Sequence, residues 1–128
     1  MDERKKSVLV IDDDRFVREG LSELLNVKGF EADTAEDGFD ALQKVTSRRY
    51  DVILLDLAMP GMDGVETLSR IMGQKPGANV LAMTAHSEYD MIARAIKAGA
   101  KSFFKKPIDS SVLENMIREM DFAAETRR

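Results

Sequence analysis

Three runs of apolar residues punctuate the chain: Val8-Leu-Val-Ile11, Val52-Ile-Leu-Leu55 and Val80-Leu-Ala-Met83. Each is short, free of polar interruption and closed by turn-forming or acidic residues, which predicts strands buried on both faces. The segments between them change period. From Arg15 to Lys28, Phe16, Val17, Leu21, Leu24 and Leu25 recur at helical spacing, and Gly29 stands where a helix stops. Phe30 to Ala35 alternates apolar and polar, as an edge strand does. Asp37 to Arg48 carries Ala41, Leu42 and Val45 on one face, with Arg48 and Arg49 suited to its C-terminal end. Asp63 as N-cap with Glu66 at N3 opens a third helix, about Gly64 to Met72, bearing Val65, Leu68 and Met72, with Gly73, Pro76 and Gly77 to break it. Ser87 with Asp90 starts a fourth, whose Ile92, Ala95 and Ile96 face the sheet and which Gly99 ends. Ser102-Phe-Phe104 is a final short strand. Asp109 or Ser110 then caps a fifth helix striped by Val112, Leu113, Met116, Ile117 and Met120, and the polar tail from Glu125 to Arg128 frays.

Five strands alternating with five helices describe a doubly wound α/β fold with a parallel sheet. Order 2-1-3-4-5 places the three apolar strands inside and the alternating one at an edge. At 128 residues the chain reads as one domain, 1–128, with a core of about 6–121 and residues 122–128 as a polar tail or the start of a linker. Apolar residues at 44% and charged ones at 33% suit a soluble protein, and a net charge of −4 argues against direct nucleic-acid binding. Without cysteine there is no disulfide and no thiolate metal site, and His86 as the sole histidine rules out a His-rich centre. The charged N-terminus leads into an apolar run too short for a signal peptide or a membrane span, so a cytoplasmic setting is expected.

The chemistry gathers where the strands end. The first delivers Asp12 and Asp13, the third Asp56, the fourth Thr84 and the fifth Lys106. In the expected order the first and third strands are neighbours at the switch point, where doubly wound sheets bind their ligands. Carboxylates roughly 5 Å apart repel by about 3 kcal/mol per pair at an effective dielectric near 20, so a positive partner is required. Hard oxygen donors alone suit Mg²⁺, which accepts phosphate oxygens among its ligands. The set suits phosphoryl transfer to a carboxylate. Asp56 would be the nucleophile, Mg²⁺ the bridge to the phosphoryl oxygens, and Lys106 and Thr84 the partners of the remaining oxygens. Each residue alone has a plainer reading. Asp12 to Asp14 could cap the first helix, Thr84 the fourth, and Lys106 could be a surface lysine. Their convergence favours the chemical reading.

The pieces Val8-Leu-Val-Ile-Asp12-Asp13-Asp14, Asp56-Leu-Ala-Met-Pro-Gly-Met-Asp-Gly64, Met83-Thr84-Ala85, Ala98-Gly99-Ala100 and Lys106-Pro107 together resemble the receiver domain of two-component response regulators. The resemblance implies a flavodoxin-like (βα)5 domain that takes a phosphoryl group on Asp56 from the phosphohistidine of a sensor histidine kinase or from a phosphotransfer protein. It implies that Asp13, Asp56 and the Ala58 carbonyl hold Mg²⁺ directly, Asp12 mainly through water, and that the Lys106–Pro107 bond is cis. It also makes Phe103 an aromatic switch coupled to Thr84, while Phe104 points the other way into the core. The output then leaves through the fourth helix, fifth strand and fifth helix. That face includes Tyr89, Arg94, Lys97, Lys101, Lys105 and parts of 109–121, and passes the signal to an output partner, an attached output domain or a second copy of the chain. Such a switch catalyses only its own phosphorylation and dephosphorylation. An alternative is a Mg²⁺-dependent aspartyl-nucleophile phosphatase, but the position two residues after Asp56, where such enzymes carry an acid, is Ala58. A flavin-binding reading fails on the charge of the acid cluster. Asp14 has no assigned role at this stage, and His86 is read as solvent-facing beside the pocket.

Overall fold

The computed structural model describes residues 5–85 and 89–126, with side chains through residue 120. Its elements alternate without exception: β1 (Ser7–Ile11), α1 (Arg15–Val27), β2 (Glu31–Ala35), α2 (Gly38–Ser47), β3 (Val52–Asp56), α3 (Gly64–Gln74), β4 (Val80–Thr84), α4 (Tyr89–Ala98), β5 (Ser102–Lys105) and α5 (Ser110–Thr126). The strands form one parallel sheet in the order β2-β1-β3-β4-β5. The expected fold class and strand order are those observed. Every residue of β1, β3 and β4 is buried, whereas β2 is mostly half-exposed, as its alternation predicts for an edge.

The period-2 geometry of the strands divides the core into two layers. Leu9, Ile11, Ile53, Leu55, Val80 and Ala82 pack against Ala41 and Val45 of α2, Leu68 and Ile71 of α3, and Ala95 of α4. Val8, Val10, Val52, Leu54, Leu81, Met83 and Phe104 face the other way, onto Leu25 of α1 and Leu113 and Ile117 of α5. Phe104 is therefore core, as expected, and Phe103, on the opposite face, is 45% exposed.

The helical faces are narrower than the sequence reading made them. Phe16 is 89% exposed. At about 100° per residue it lies some 180° around α1 from the buried Leu25. The face of α4 is Met91, Ala95 and Ala98, not Ile96, which lies about 100° from Ala95 and is exposed. Val112 is likewise offset by about 100° from Leu113 and stands outside the stripe of α5. Gly73 lies within α3 rather than breaking it, because the helix continues to the cap at Lys75, just before Pro76. Gly29 and Gly99 end α1 and α4 as expected. Both take positive φ, and in each case the next residue's N–H (Phe30, Ala100) bonds back to a carbonyl five residues earlier (Leu25, Ala95). The expected start of α4 at Ser87 lies outside the described residues, as does His86.

Candidate functional site

Asp56 is the last residue of β3 and Thr84 the last of β4, while Asp12 directly follows β1 and Lys106 directly follows β5. The parallel register brings all four ends to one rim of the sheet. The Lys106 N–H donates to the Thr84 carbonyl at 2.8 Å, setting these two residues side by side. The Lys106–Pro107 bond is cis, as the resemblance implied.

Asp12 is fully buried and tied down on every polar atom. Its N–H donates to the Ala35 carbonyl at 3.2 Å, and its Oδ1 accepts the Asp14 N–H at 2.9 Å. Its Oδ2 receives Lys106 Nζ at 2.6 Å, and its carbonyl receives Arg18 Nη1 at 2.8 Å. Asp56, 4% exposed, accepts the Ala58 N–H on Oδ1 at 3.1 Å and has Lys106 Nζ 3.5 Å from Oδ2. Asp13 is exposed at the mouth of the pocket, and Thr84 is 2% exposed.

The turn that follows Asp56 is shaped by one close approach. A Cβ on Gly64 would stand 2.3 Å from Leu57 Cα and 2.6 Å from the Asp56 carbonyl oxygen, so only glycine lets α3 begin against the end of β3. The Gly64 N–H donates to the Leu57 carbonyl at 3.1 Å. Asp63 caps α3 by accepting the Glu66 N–H at 2.8 Å. The Glu66 carboxylate pairs with Arg70 at 2.8 Å.

The electrostatics follow from this crowding. One carboxylate oxygen from each of Asp12, Asp13 and Asp56 falls within 4.8 Å of the others. Burial, and next the charge of Asp12, push the Asp56 carboxyl up to about 6, with Asp13 adding to the rise and Lys106 and the Ala58 N–H working against it. Burial also acts against the charge on Lys106, but the hydrogen bond to Asp12 and the fields of Asp56 and Asp12 outweigh it, so its ammonium is held above the usual lysine range. Three carboxylates and one ammonium leave two net negative charges, the complement of one divalent cation. Two opposite bonds of about 2.1 Å to Mg²⁺ would span about 4.2 Å, close to the observed spread, and every donor is a hard oxygen. The donor set fits that ion.

The structure thus brings together Asp12, Asp13, Asp56, Thr84 and Lys106, and sets Ala58 beside them. Phe103 pairs with Ala82 across β4 and β5, which puts it on the same sheet face as Thr84, two residues further along β4. Asp14, unassigned from sequence, is the N-cap of α1, receiving the N–H groups of Phe16 at 2.9 Å and Val17 at 3.3 Å. Its position before an amphipathic run was a usable signal. Arg18 carried no signal at all, since a hydrogen bond to a backbone carbonyl leaves no pattern in sequence.

Fold and rim together define a doubly wound domain with an acidic pocket at its switch point. Residues 8–118 match the family model "Response regulator receiver domain", and the chain belongs to that family of two-component response regulators. It is 36% identical over 114 residues to sporulation initiation phosphotransferase F of Bacillus subtilis, covering 89% of this chain and 92% of that protein. It is 38% identical over 112 residues to the transcriptional regulatory protein ZraR of Klebsiella oxytoca, covering 88% of this chain but only 25% of that longer protein. Among solved structures it resembles response regulator TrrA of Thermotoga maritima in complex with Mg²⁺-BeF, with a TM-score of 0.81 and 36% identity over 90% of this chain and 98% of that one. Among the described residues, no helix is long and apolar enough to cross a membrane.

Proposed function

We propose that this chain is a cytoplasmic, phosphorylation-dependent signalling switch whose phosphoacceptor is Asp56. The observation that carries the reading is the buried Asp56 carboxylate at the end of a central strand, with Lys106 Nζ 3.5 Å away and two further acids converging on it. The donor is the phosphohistidine of a sensor histidine kinase or of a phosphotransfer protein. In the transfer, a carboxylate oxygen of Asp56 forms the new P–O bond as the P–N bond to the donor imidazole breaks, and the electron pair returns to the imidazole nitrogen. Above pH 6 Asp56 is ionised and ready to attack, and its raised pKa makes it a stronger nucleophile than a solvated aspartate. Asp13, Asp56 and the Ala58 carbonyl would hold Mg²⁺ directly and Asp12 through water, and the bound ion would supply charge neutralisation for the phosphoryl group. Lys106 moves its ammonium from the Asp12 carboxylate to one phosphoryl oxygen, and the Thr84 hydroxyl donates to another. The chain catalyses only its own phosphorylation and dephosphorylation.

The output leaves through α4, β5 and α5. Thr84 and the half-exposed Phe103 share one face of the sheet, so drawing the Thr84 hydroxyl toward the phosphoryl group vacates room into which the Phe103 ring turns. Tyr89, Arg94, Lys97, Lys101 and Lys105 lie on this surface. Its readers are a separate partner protein, an attached output domain or a second copy of the chain, recognised by charge complementarity. Incubation with Mg²⁺ and acetyl phosphate is expected to add one base-labile phosphoryl group by intact-mass spectrometry. Asp56→Asn is expected to abolish it, and a modification that persists in this variant would place the acceptor elsewhere.

A further inference from the structure

Besides Lys106, Arg18 also touches the acid turn, and it does so from a different element. It lies in the first turn of α1, where its N–H donates to the Asp14 carbonyl at 2.9 Å. Its side chain reaches back, and Nη1 donates to the Asp12 carbonyl oxygen at 2.8 Å. That oxygen belongs to the peptide unit joining Asp12 to Asp13. Because the unit is planar, pinning its oxygen also sets where the Cα of Asp13 goes. One contact to backbone therefore governs the relative aim of two carboxylates.

The other restraints on Asp12 divide into permanent and removable. The Asp12 N–H bond to the Ala35 carbonyl is backbone to backbone, and Oδ1 takes the backbone N–H of Asp14, so both stay with the fold. The Lys106 bond to Oδ2 is the removable one, since the phosphorylated state requires the ammonium elsewhere. Once it leaves, Arg18 still holds the turn from outside it, through the Asp12 carbonyl, beside the turn's own Asp14 N–H bond to Asp12 Oδ1.

We propose that Arg18 is a positioning residue for the cation pocket, holding the Asp12–Asp13 peptide in register so that both carboxylates stay convergent when Lys106 releases Asp12. The inference rests on the cation-dependent switch described above. It requires the hydrogen bond and not merely the charge. A guanidinium acting through space would repel a divalent ion, so its removal would tighten binding, whereas loss of a positioning bond loosens it.

The test is Mg²⁺ titration of the full chain followed by backbone amide and carbonyl NMR, for wild type and Arg18→Met. It is run at about 0.5 M KCl, where the Debye length of a few ångströms suppresses the through-space contribution. Arg18→Met is expected to bind Mg²⁺ on the order of tenfold more weakly, in keeping with the effect of losing a partner that orients a metal ligand. Without the ion, its Asp12 carbonyl carbon signal should shift while the signals of β3 and β4 stay in place, showing that the fold is intact. Equal or tighter Mg²⁺ binding by Arg18→Met overturns the proposal, and so does an unchanged Asp12 carbonyl signal. If wild type itself binds no Mg²⁺, it is the cation-dependent reading of the pocket that falls.

Discussion

The Lys106 ammonium stands 2.6 Å from Asp12 Oδ2, joining two residues 94 positions apart, and is 0.9 Å closer to this carboxylate than to that of Asp56. Asp12 is thereby paired, while burial and the charge of Asp12 push the Asp56 carboxyl up to about 6. The pair also spans the sheet rim from β1 to β5, so releasing Lys106 is a long-range event as well as a local one.

Removing that ammonium should destabilise the chain more than an ordinary lysine substitution. Lys106→Met leaves a buried carboxylate without its partner, a loss of roughly 3–5 kcal/mol for a buried pair, less whatever protonation recovers. Denaturant melts at pH 7 without Mg²⁺ are the measurement. A change below about 0.5 kcal/mol, the usual limit for a surface substitution, would show that the pair has no energetic weight.

Asp56 gives the apo protein a defined pH dependence. Its carboxyl rises from 3.8 to about 6 on folding. Between about pH 4 and pH 6 the native state therefore holds more protons than the unfolded one, and stability falls as pH rises through that window. Above it, the ionised Asp56 costs up to about 3 kcal/mol. Asp56→Asn should accordingly raise stability at pH 7 by up to that amount and give no gain at pH 4. Equal effects at both pH values would contradict the assignment.

Gly64→Ala should disturb the site through the backbone alone. The added methyl would stand 2.3 Å from Leu57 Cα, and neither backbone can yield as a flexible side chain could. Overpacking of this kind costs about 1–3 kcal/mol and should push α3 away from the end of β3. Thermal melts read the first effect. Slower labelling by acetyl phosphate reads the second, since the displaced turn carries Ala58 and its N–H to Asp56.

The proposed output surface predicts where phosphorylation is felt. Adding Mg²⁺ and beryllofluoride as a phosphoryl mimic should shift amide signals across residues 84–110 far more than across α2. A largely complete change of state requires roughly 5 kcal/mol of differential stabilisation. Phe103→Ala should leave labelling of Asp56 intact but shrink the shifts on α4. Shifts restricted to the immediate surroundings of Asp56 would remove Phe103 from the pathway.

Period and punctuation, read from sequence, determined the fold class, the strand order and which residues stand at the carboxyl rim. Four-residue apolar runs bounded by turn-forming and acidic residues are too short for helices and fit strands covered on both sides, and in a parallel sheet the acids closing neighbouring strands meet at the switch point. Asp12, Asp56, Thr84 and Lys106 were legible for that reason: each is tied to the end of a strand. Tertiary structure alone decided what depends on angle and approach between distant segments. It turned Phe16, Ile96 and Val112 outward, because a helix buries a narrower stripe than its apolar residues occupy. It required glycine at position 64, because two backbones nearly touch there. It settled which carboxylate Lys106 holds, by a difference of 0.9 Å, and set Arg18 on the Asp12 carbonyl, contacts that no spacing along the chain encodes.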